Sequence, residues 1–325
     1  MSEPIKVALV GGGVIGGGWA ARFLLSGHEV ALFDPDPEAE RKVSEILTNA
    51  RRALERLFPE GRPTEGRLTY ASSLAQAAEG AAFVQESVPE RLDLKQKVYG
   101  ELEAQLAAGV PIASSTSGIK PSDLQAEMKT PERLLVGHPF NPVYLLPLVE
   151  LVGGEKTAPE TIERAGALYA SLGMKPLVVR KEIEAFIADR LMEALWREAL
   201  WLVKDGVASA EEVDDAIRYG CGLRWAQMGT FQVFNIAGGE AGMRHFMAQF
   251  GPCLKWPWTK LMDVPEMTDE LVETIARQCE EQAGGKSFRE LERIRDDNLV
   301  DIMKALEGND WGAGSELKTF REKRF

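Results

Sequence analysis

His138 is one of only three histidines in the chain, and Glu150 follows it 150 − 138 = 12 positions later. Glu150 interrupts the apolar run Leu145-Leu146-Pro147-Leu148-Val149-Glu150-Leu151-Val152. A carboxylate in such a run needs a partner if it is buried, and an imidazole is the obvious one. Side by side, the two can do proton chemistry. The imidazole takes a proton from a hydroxyl, while the carboxylate fixes its tautomer and stabilises the imidazolium that results. Alone, each residue has a plainer reading: a satisfied core histidine, or a solvent-facing strand position.

A second group sits at the N-terminus. In "VALVGGGVIGGGWAARFLLSGHEVALFDPDP", Gly11, Gly13 and Gly16 form GxGxxG at a strand-to-helix turn that also includes Gly12, Val14 and Ile15. Such a turn admits a pyrophosphate close to the backbone, and the helix start supplies amide donors. Asp34 ends the next strand 34 − 16 = 18 residues after the last glycine. A carboxylate there binds ribose hydroxyls and repels a 2′-phosphate, and no Arg follows it directly, so the expected cofactor is NAD rather than NADP. No second FAD-binding block is visible. The alternative is a Gly-rich turn without a ligand.

These groups need a scaffold. Short β-rich runs at Lys6–Val10, Val30–Phe33, Ala82–Glu86, Pro111–Ser114, Leu134–Gly137, Leu148–Val152 and Pro176–Val179 alternate with amphipathic stretches such as 37–57 and 92–106. That alternation predicts an α/β fold with a doubly wound, mostly parallel sheet. His138 then falls at the carboxyl end of a strand, where open sheets bind ligands. Pro139, Pro142 and Pro147 forbid a helix to Glu150, so the chain must loop and return as a strand with Glu150 on the face of Leu148 and Val152.

From Glu182 the texture becomes helical. "FIADRLMEALWREALWLVKDG" reads as a long helix, and "SAEEVDDAIRYG" as a second with a Ser209/Glu212 capping box. The expected division is a dinucleotide-binding Rossmann domain over 1–183 and an all-helical substrate and dimerisation domain over 184–325. Residues 308–325 read as a loose polar tail.

The chain has 325 residues, a net charge of −12 and 45% hydrophobic residues, enough for a large core. The acidic surface disfavours nucleic acid and anionic membranes. Cys221, Cys253 and Cys279 form no CxxC pair, which points to a reducing compartment without a disulfide or zinc frame. Neither a signal peptide nor a membrane-spanning run is visible, so a cytoplasmic protein is expected.

The motifs resemble those of the 3-hydroxyacyl-CoA dehydrogenase superfamily. Its Ser-Asn-Thr-Ser-Ser pattern is similar to Ser114-Ser115-Thr116-Ser117-Gly118, its His-x-x-Asn-Pro block to His138-Pro139-Phe140-Asn141-Pro142, and a cofactor-side Glu-x-x-x-x-Lys to Glu90 through Lys95. The resemblance implies a Rossmann domain followed by a helical, dimerising domain. It also implies His138 as general base, Glu150 as orienting acid, Ser117 bonding substrate oxygen beside the nicotinamide, Asn141 shaping the site, and Glu90 and Lys95 on the cofactor side.

Two departures matter. Asp189 stands in "FIADR" where acyl-CoA members carry Asn, and "RWAQMGTFQVF" replaces their Gly-Pro-Phe-Glu-Leu segment. Several segments, "EALWREALWLVKD" among them, are most similar to the subgroup acting on L-carnitine, with the lambda-crystallin-like sugar-acid dehydrogenases next. A quaternary ammonium donates no N–H hydrogen bond and is held by aromatic faces, sometimes with a carboxylate nearby. Phe140, Tyr144, Trp196, Trp225, Phe231 and Phe234 are candidates for such a cage, with core or dimer-interface packing as the plainer reading. Asp189 faces either the cation or Arg190 or Arg197. Arg224 and Arg244 are candidates for the substrate carboxylate. Arg51, Arg52 and Arg56 form either a basic pocket for CoA phosphates or, as helical spacing favours, a solvated face. Besides a small-molecule dehydrogenase, a short-chain acyl-CoA enzyme and a non-catalytic NAD-binding crystallin-type protein remain open.

Overall fold

The computed structural model describes residues 3–324 except 62, 227, 239, 241, 261–265 and 267. The eight strands are β1 (Lys6–Val10), β2 (Glu29–Phe33), β3 (Leu68–Tyr70), β4 (Phe83–Glu86), β5 (Ile112–Ser114), β6 (Leu134–Pro139), β7 (Leu148–Gly153) and β8 (Lys175–Val179). They form one sheet in the order β3-β2-β1-β4-β5-β6-β7-β8. Neighbours are parallel except β6 and β7, which run antiparallel. The order reverses between β1 and β4, leaving a crevice at the carboxyl ends of those strands.

Around the sheet lie α1 (Val14–Leu24), α2 (Ala39–Leu57), α3 (Leu74–Ala78), α4 (Leu92–Glu103), α5 (Pro121–Leu124) and α6 (Pro159–Ser171). One sheet face packs Val7, Leu9, Leu135, Val149 and Leu151 against α1, α2 and α6. The other packs Ala8, Val10, Val84, Leu134, Val136 and Val152 against α3, α4 and α5. The central strands are thus buried on both sides, as parallel strands must be.

The second half is helical: α7 (Ala188–Lys204), α8 (Ala210–Ala216), α9 (Gly222–Trp225), α10 (Thr230–Ala237), α11 (Gly242–Phe250), α12 (Asp269–Ala283), α13 (Phe288–Glu307) and α14 (Ala313–Arg324). The expected capping box starts α8: Ser209 Oγ accepts from Glu212 N at 3.2 Å, and Ser209 N donates to Glu212 at 2.8 Å.

Two expectations are corrected here. The loose tail expected over 308–325 is not what its described residues, 308–324, form, since α14 buries Leu317 and sets Phe320 against Phe58, ring centroids 5.6 Å apart. Its polar pattern hid the few apolar residues that dock it. Arg51, Arg52 and Arg56 are neither a CoA pocket nor a freely solvated face. Arg51 pairs with Glu65 at 2.6 Å and Arg52 with Asp297 at 2.5 Å, while Arg56 pairs with Asp297 and Asp301. Two of the three therefore fasten α2 to α13, a contact between distant segments that helical spacing cannot show. Cys221 and Cys253 are free thiols; the Cys279 side chain lies outside the described residues. Among the described residues no helix is long and apolar enough to cross a membrane.

Candidate active site

The turn after β1 leaves little room for side chains. Gly11 has φ +100, and a Cβ there would meet Ser87 O at 2.6 Å; one on Gly16 would meet Gly11 O at 1.9 Å. At Gly13, on the exposed tip of α1, a Cβ would meet nothing within 4 Å. Glycines at 11 and 16 are thus required by the protein itself, whereas Gly13 faces open space at a helix N-terminus. Only a ligand lying on the backbone would need that position bare. Val14 stands exposed on the same tip and Ile15 is half-buried.

Asp34 follows β2 directly, and its Oδ2 accepts from Gly12 N at 2.5 Å while Oδ1 accepts from Asp36 N at 2.7 Å. Its carboxylate is therefore aimed into the turn. Gly11, Gly12, Gly13, Asp34, Lys42, Ser87 and others line a cavity of about 840 Å³. A bare helix tip, a carboxylate just after the second strand and a cavity of this size fit a bound NAD.

The serine-rich loop after β5 is ordered by one buried acid, Glu86, and one exposed acid, Glu90. Ser114 donates to Glu86 at 2.7 Å. Ser115 Oγ receives Trp19 Nε1 at 3.1 Å and Gln85 Nε2 at 2.8 Å. Thr116 donates to Glu90, which also accepts from Ser117 N at 3.1 Å and Gly118 N at 3.2 Å. Of the four hydroxyl residues only Ser117 is exposed.

Lys95, expected on the cofactor, is corrected. It is 1% exposed and donates to Glu86 at 2.7 Å and to Val88 O at 3.2 Å. Its ammonium lies 3.5 Å from Glu90 Oε2, so it supports the loop from behind. A lysine in an amphipathic stretch reads as surface, and nothing local marked Glu86 as its buried partner.

His138 and Glu150 are brought together. Their Cα positions are directly opposed across the antiparallel β6–β7 pair. His138 Nδ1 and Glu150 Oε2 are 2.9 Å apart, and both residues are buried. The other oxygen, Oε1, accepts from the backbone N–H groups of Ile187 and Ala188, each at 3.0 Å. Burial alone would raise the Glu150 carboxyl, but the hydrogen bonds from His138, Ala188 and Ile187 outweigh it and hold it below its ordinary value.

The helix start that donates these amides follows Ala185 and Phe186, both left-handed at φ 59 and 48. For non-glycine residues that conformation costs of order 1–3 kcal/mol each. It folds Phe186 over His138, ring centroids 5.6 Å apart, with Phe186 fully buried. Phe186, Ile187 and Ala188 were missed from sequence. "EAFIADR" reads there as ordinary helix, and only the absence of an N-cap side chain hinted at another role for its first amides.

The remaining expected site residues divide. Phe140 lies edge-on to His138, centroids 4.8 Å apart. Asn141 is exposed at the start of the loop that follows β6. Asp189 pairs with neither Arg190 nor Arg197: its Oδ2 lies 3.8 Å from His138 Nε2, and Arg197 pairs with Glu193.

Tyr144 is corrected. It is buried and donates to Asp296 of α13 at 2.5 Å, so its ring is not available to a ligand. Parity within a loop could not show that the tyrosine turns inward. Trp196, Trp225, Phe231 and Phe234 are 51, 43, 82 and 40% exposed, and Arg224 and Arg244 are exposed.

Comparison with known proteins agrees with this architecture. Residues 6–183 match the 3-hydroxyacyl-CoA dehydrogenase NAD binding domain, and 186–278 its C-terminal domain. The L-carnitine dehydrogenase of Mesorhizobium japonicum is 65% identical over 99% of this chain and 90% of its own length. The L-carnitine dehydrogenase/betainyl-CoA thioesterase of Ruegeria pomeroyi is 62% identical over 95% of this chain, which spans 64% of that longer protein. Among solved structures, 5-formyl-3-hydroxy-2-methylpyridine 4-carboxylic acid 5-dehydrogenase, an NAD+ dependent dismutase, aligns with TM-score 0.79 and 28% identity over 94% of this chain and 99% of that one. With both domains matched and the glycine turn, Asp34 and cavity suited to NAD, the chain belongs to the 3-hydroxyacyl-CoA dehydrogenase family of NAD-dependent oxidoreductases.

Proposed function

We propose that the chain oxidises the C3 hydroxyl of L-carnitine to 3-dehydrocarnitine, with His138 as general base and Glu150 as the acid that orients it. The observation that carries the reading is the 65% identity, over 99% of the chain, to a protein named L-carnitine dehydrogenase. The 2.9 Å His138–Glu150 contact supports the assigned roles.

In this reading Nδ1 of His138 gives its hydrogen to Glu150, which leaves a lone pair on Nε2 for the substrate hydroxyl proton. Bound NAD supplies the acceptor for the C3 hydride. As the proton arrives, the imidazolium is stabilised by Glu150, whose charge two main-chain amides already hold in place. The balance is L-carnitine plus NAD+ giving 3-dehydrocarnitine, NADH and a proton. Ser117, exposed on a loop fixed by Glu90, bonds the reacting oxygen, and Asn141 shapes the same edge. Phe140 offers an aromatic surface beside the base.

The engagement of Arg52 and Arg56 with Asp297 supports a small substrate over a CoA ester, whose phosphates need free basic groups. The same reading takes the enzyme as a cytoplasmic homodimer. Leu191, Met192, Leu195 and Trp196 stand exposed along α7, an apolar surface of the kind that pairing covers.

The test is NADH absorbance with L-carnitine as substrate, run beside NADH oxidation with acetoacetyl-CoA. Turnover of the CoA ester without turnover of L-carnitine would reject the substrate. His138→Ala should abolish turnover yet keep NADH binding; an active variant would reject the base. Light scattering decides the dimer.

A further inference from the structure

The base has a carboxylate on each side. Glu150 holds Nδ1, and Asp189 Oδ2 stands 3.8 Å from Nε2, the nitrogen that must face the substrate. The two acids are not equivalent. Glu150 accepts from the imidazole and two amides, whereas among the described residues no hydrogen bond reaches the Asp189 carboxylate. Asp189 sits in the first turn of α7, with 18% of its side chain exposed. Burial raises its carboxyl above the ordinary value; His138 opposes this, while Glu150, Glu193 and Glu90 add to the rise. The protein thus places a carboxylate against its own base with no hydrogen-bond donor on it among the described residues.

A hydroxyl within about 2.6–3.2 Å of Nε2 must also lie beside Asp189. A neutral substrate there would meet an unpaired, desolvated carboxylate just as negative charge develops on its oxygen. A substrate with a fixed positive charge close to the carbinol carbon would supply the missing partner. In L-carnitine the ammonium nitrogen is one methylene away from that carbon.

We infer that Asp189 is the specificity-determining residue of this site, its carboxylate 3.8 Å from His138 Nε2 selecting 3-hydroxy acids that carry a cation beside the reacting hydroxyl. This rests on the function proposed above and adds which residue reads the charge. Aromatic faces supply contact area for the methyl groups, and Asp189 supplies the discrimination between a cation and its neutral isostere.

The experiment compares L-carnitine with 3-hydroxy-5,5-dimethylhexanoate, in which a tert-butyl group replaces the trimethylammonium group. Wild-type enzyme should favour L-carnitine strongly in kcat/KM. Asp189→Asn should lower kcat/KM for L-carnitine about 10- to 100-fold and leave the tert-butyl isostere unchanged or improved, so that selectivity collapses. Asp189→Glu, which keeps the charge, should retain the preference. NADH binding by fluorescence confirms that each variant is folded; if Asp189→Asn fails this, Asp189→Ser takes its place. Equal losses for both substrates, or an unchanged ratio, would overturn the inference while leaving the proposed function standing. No NADH from L-carnitine with the wild-type enzyme would overturn both.

Discussion

Replacing Glu150 by Gln keeps the shape of the side chain and removes its charge. The surrounding donors then dictate how the amide sits. Position Oε1 faces two backbone N–H groups at 3.0 Å, and position Oε2 faces His138 Nδ1 at 2.9 Å. Turning the amide nitrogen toward the backbone would set donors against donors and leave two part-buried N–H groups unsatisfied, at about 1–3 kcal/mol each. The amide oxygen therefore stays on Ile187 and Ala188, and the amide nitrogen donates to Nδ1. That forces the imidazole proton onto Nε2, the nitrogen that must accept the substrate proton.

Recovering the reactive tautomer means breaking that arrangement, at the same cost of roughly 2–6 kcal/mol, and the imidazolium also loses its counter-charge. Since 1.4 kcal/mol is about tenfold, that cost alone should lower kcat by about 30-fold to 10⁴-fold. NADH affinity should not change, because Glu150 lies outside the glycine turn. The assay is steady-state NADH formation from L-carnitine, with NADH binding measured by fluorescence. Glu150→Gln turning over within threefold of wild type would refute the tautomer argument. A parallel loss of NADH affinity would show that Glu150 supports the cofactor domain rather than the base.

Three further outcomes follow from the same contacts. Gly13→Ala, open in the protein, should leave Tm unchanged yet weaken NADH binding, whereas Gly16→Ala, whose Cβ would meet Gly11 O at 1.9 Å, should lower Tm as well; equal Tm losses would refute the distinction. Asp34→Ala should reduce kcat/KM for NAD by about tenfold and narrow the gap to NADP, measured as paired kinetics with the two cofactors. The Glu150 carboxyl is held below its ordinary value, so its stabilisation is present above the unfolded-state value and is lost as pH falls from there through the folded-state value. Asp189, held above its ordinary value, subtracts stability once ionised. A Tm-versus-pH series through the carboxylate range should therefore be shallower on the acid side in Glu150→Gln, and Asp189→Asn should raise Tm at neutral pH.

How much of this was legible in sequence depended on how locally each feature is encoded. The glycine turn and Asp34 are local: sterics at Gly11 and Gly16 and the length of α1 fix them. Seven of the eight strands carry β-rich apolar runs. The eighth, Leu68–Tyr70, has one aliphatic residue and buries none of its three side chains, so it carries no apolar run. His138 and Glu150 were readable as a pair because prolines excluded the helix and parity put Glu150 on a covered face, where a carboxylate needs a partner. Nonlocal features were not readable. Lys95 is drawn inward by Glu86, Tyr144 by Asp296 more than a hundred residues away, and the last helix by Phe58. In each case the residue type suggested surface or ligand, and a partner from a distant segment decided otherwise.

The site also depends on an alignment that the strands alone would not hold. A slip of one residue between β6 and β7 would turn Glu150 to the opposite sheet face, away from His138. The loop joining the two strands is pinned from outside the sheet. Arg22 of α1, its pKa lowered to about 10 by burial, donates to Val143 O and Leu146 O, each at 3.0 Å. Tyr144, between those carbonyls in sequence, is tied to Asp296 of α13. At the other end the left-handed pair Ala185–Phe186 aims the start of α7 at Glu150 and carries Asp189 to the far side of the imidazole. The strain in that pair is thus coupled to three contacts at once: two amides on Glu150, an aromatic cover on His138, and a carboxylate beside Nε2. A change that relaxed residues 185–186 would lose all three together.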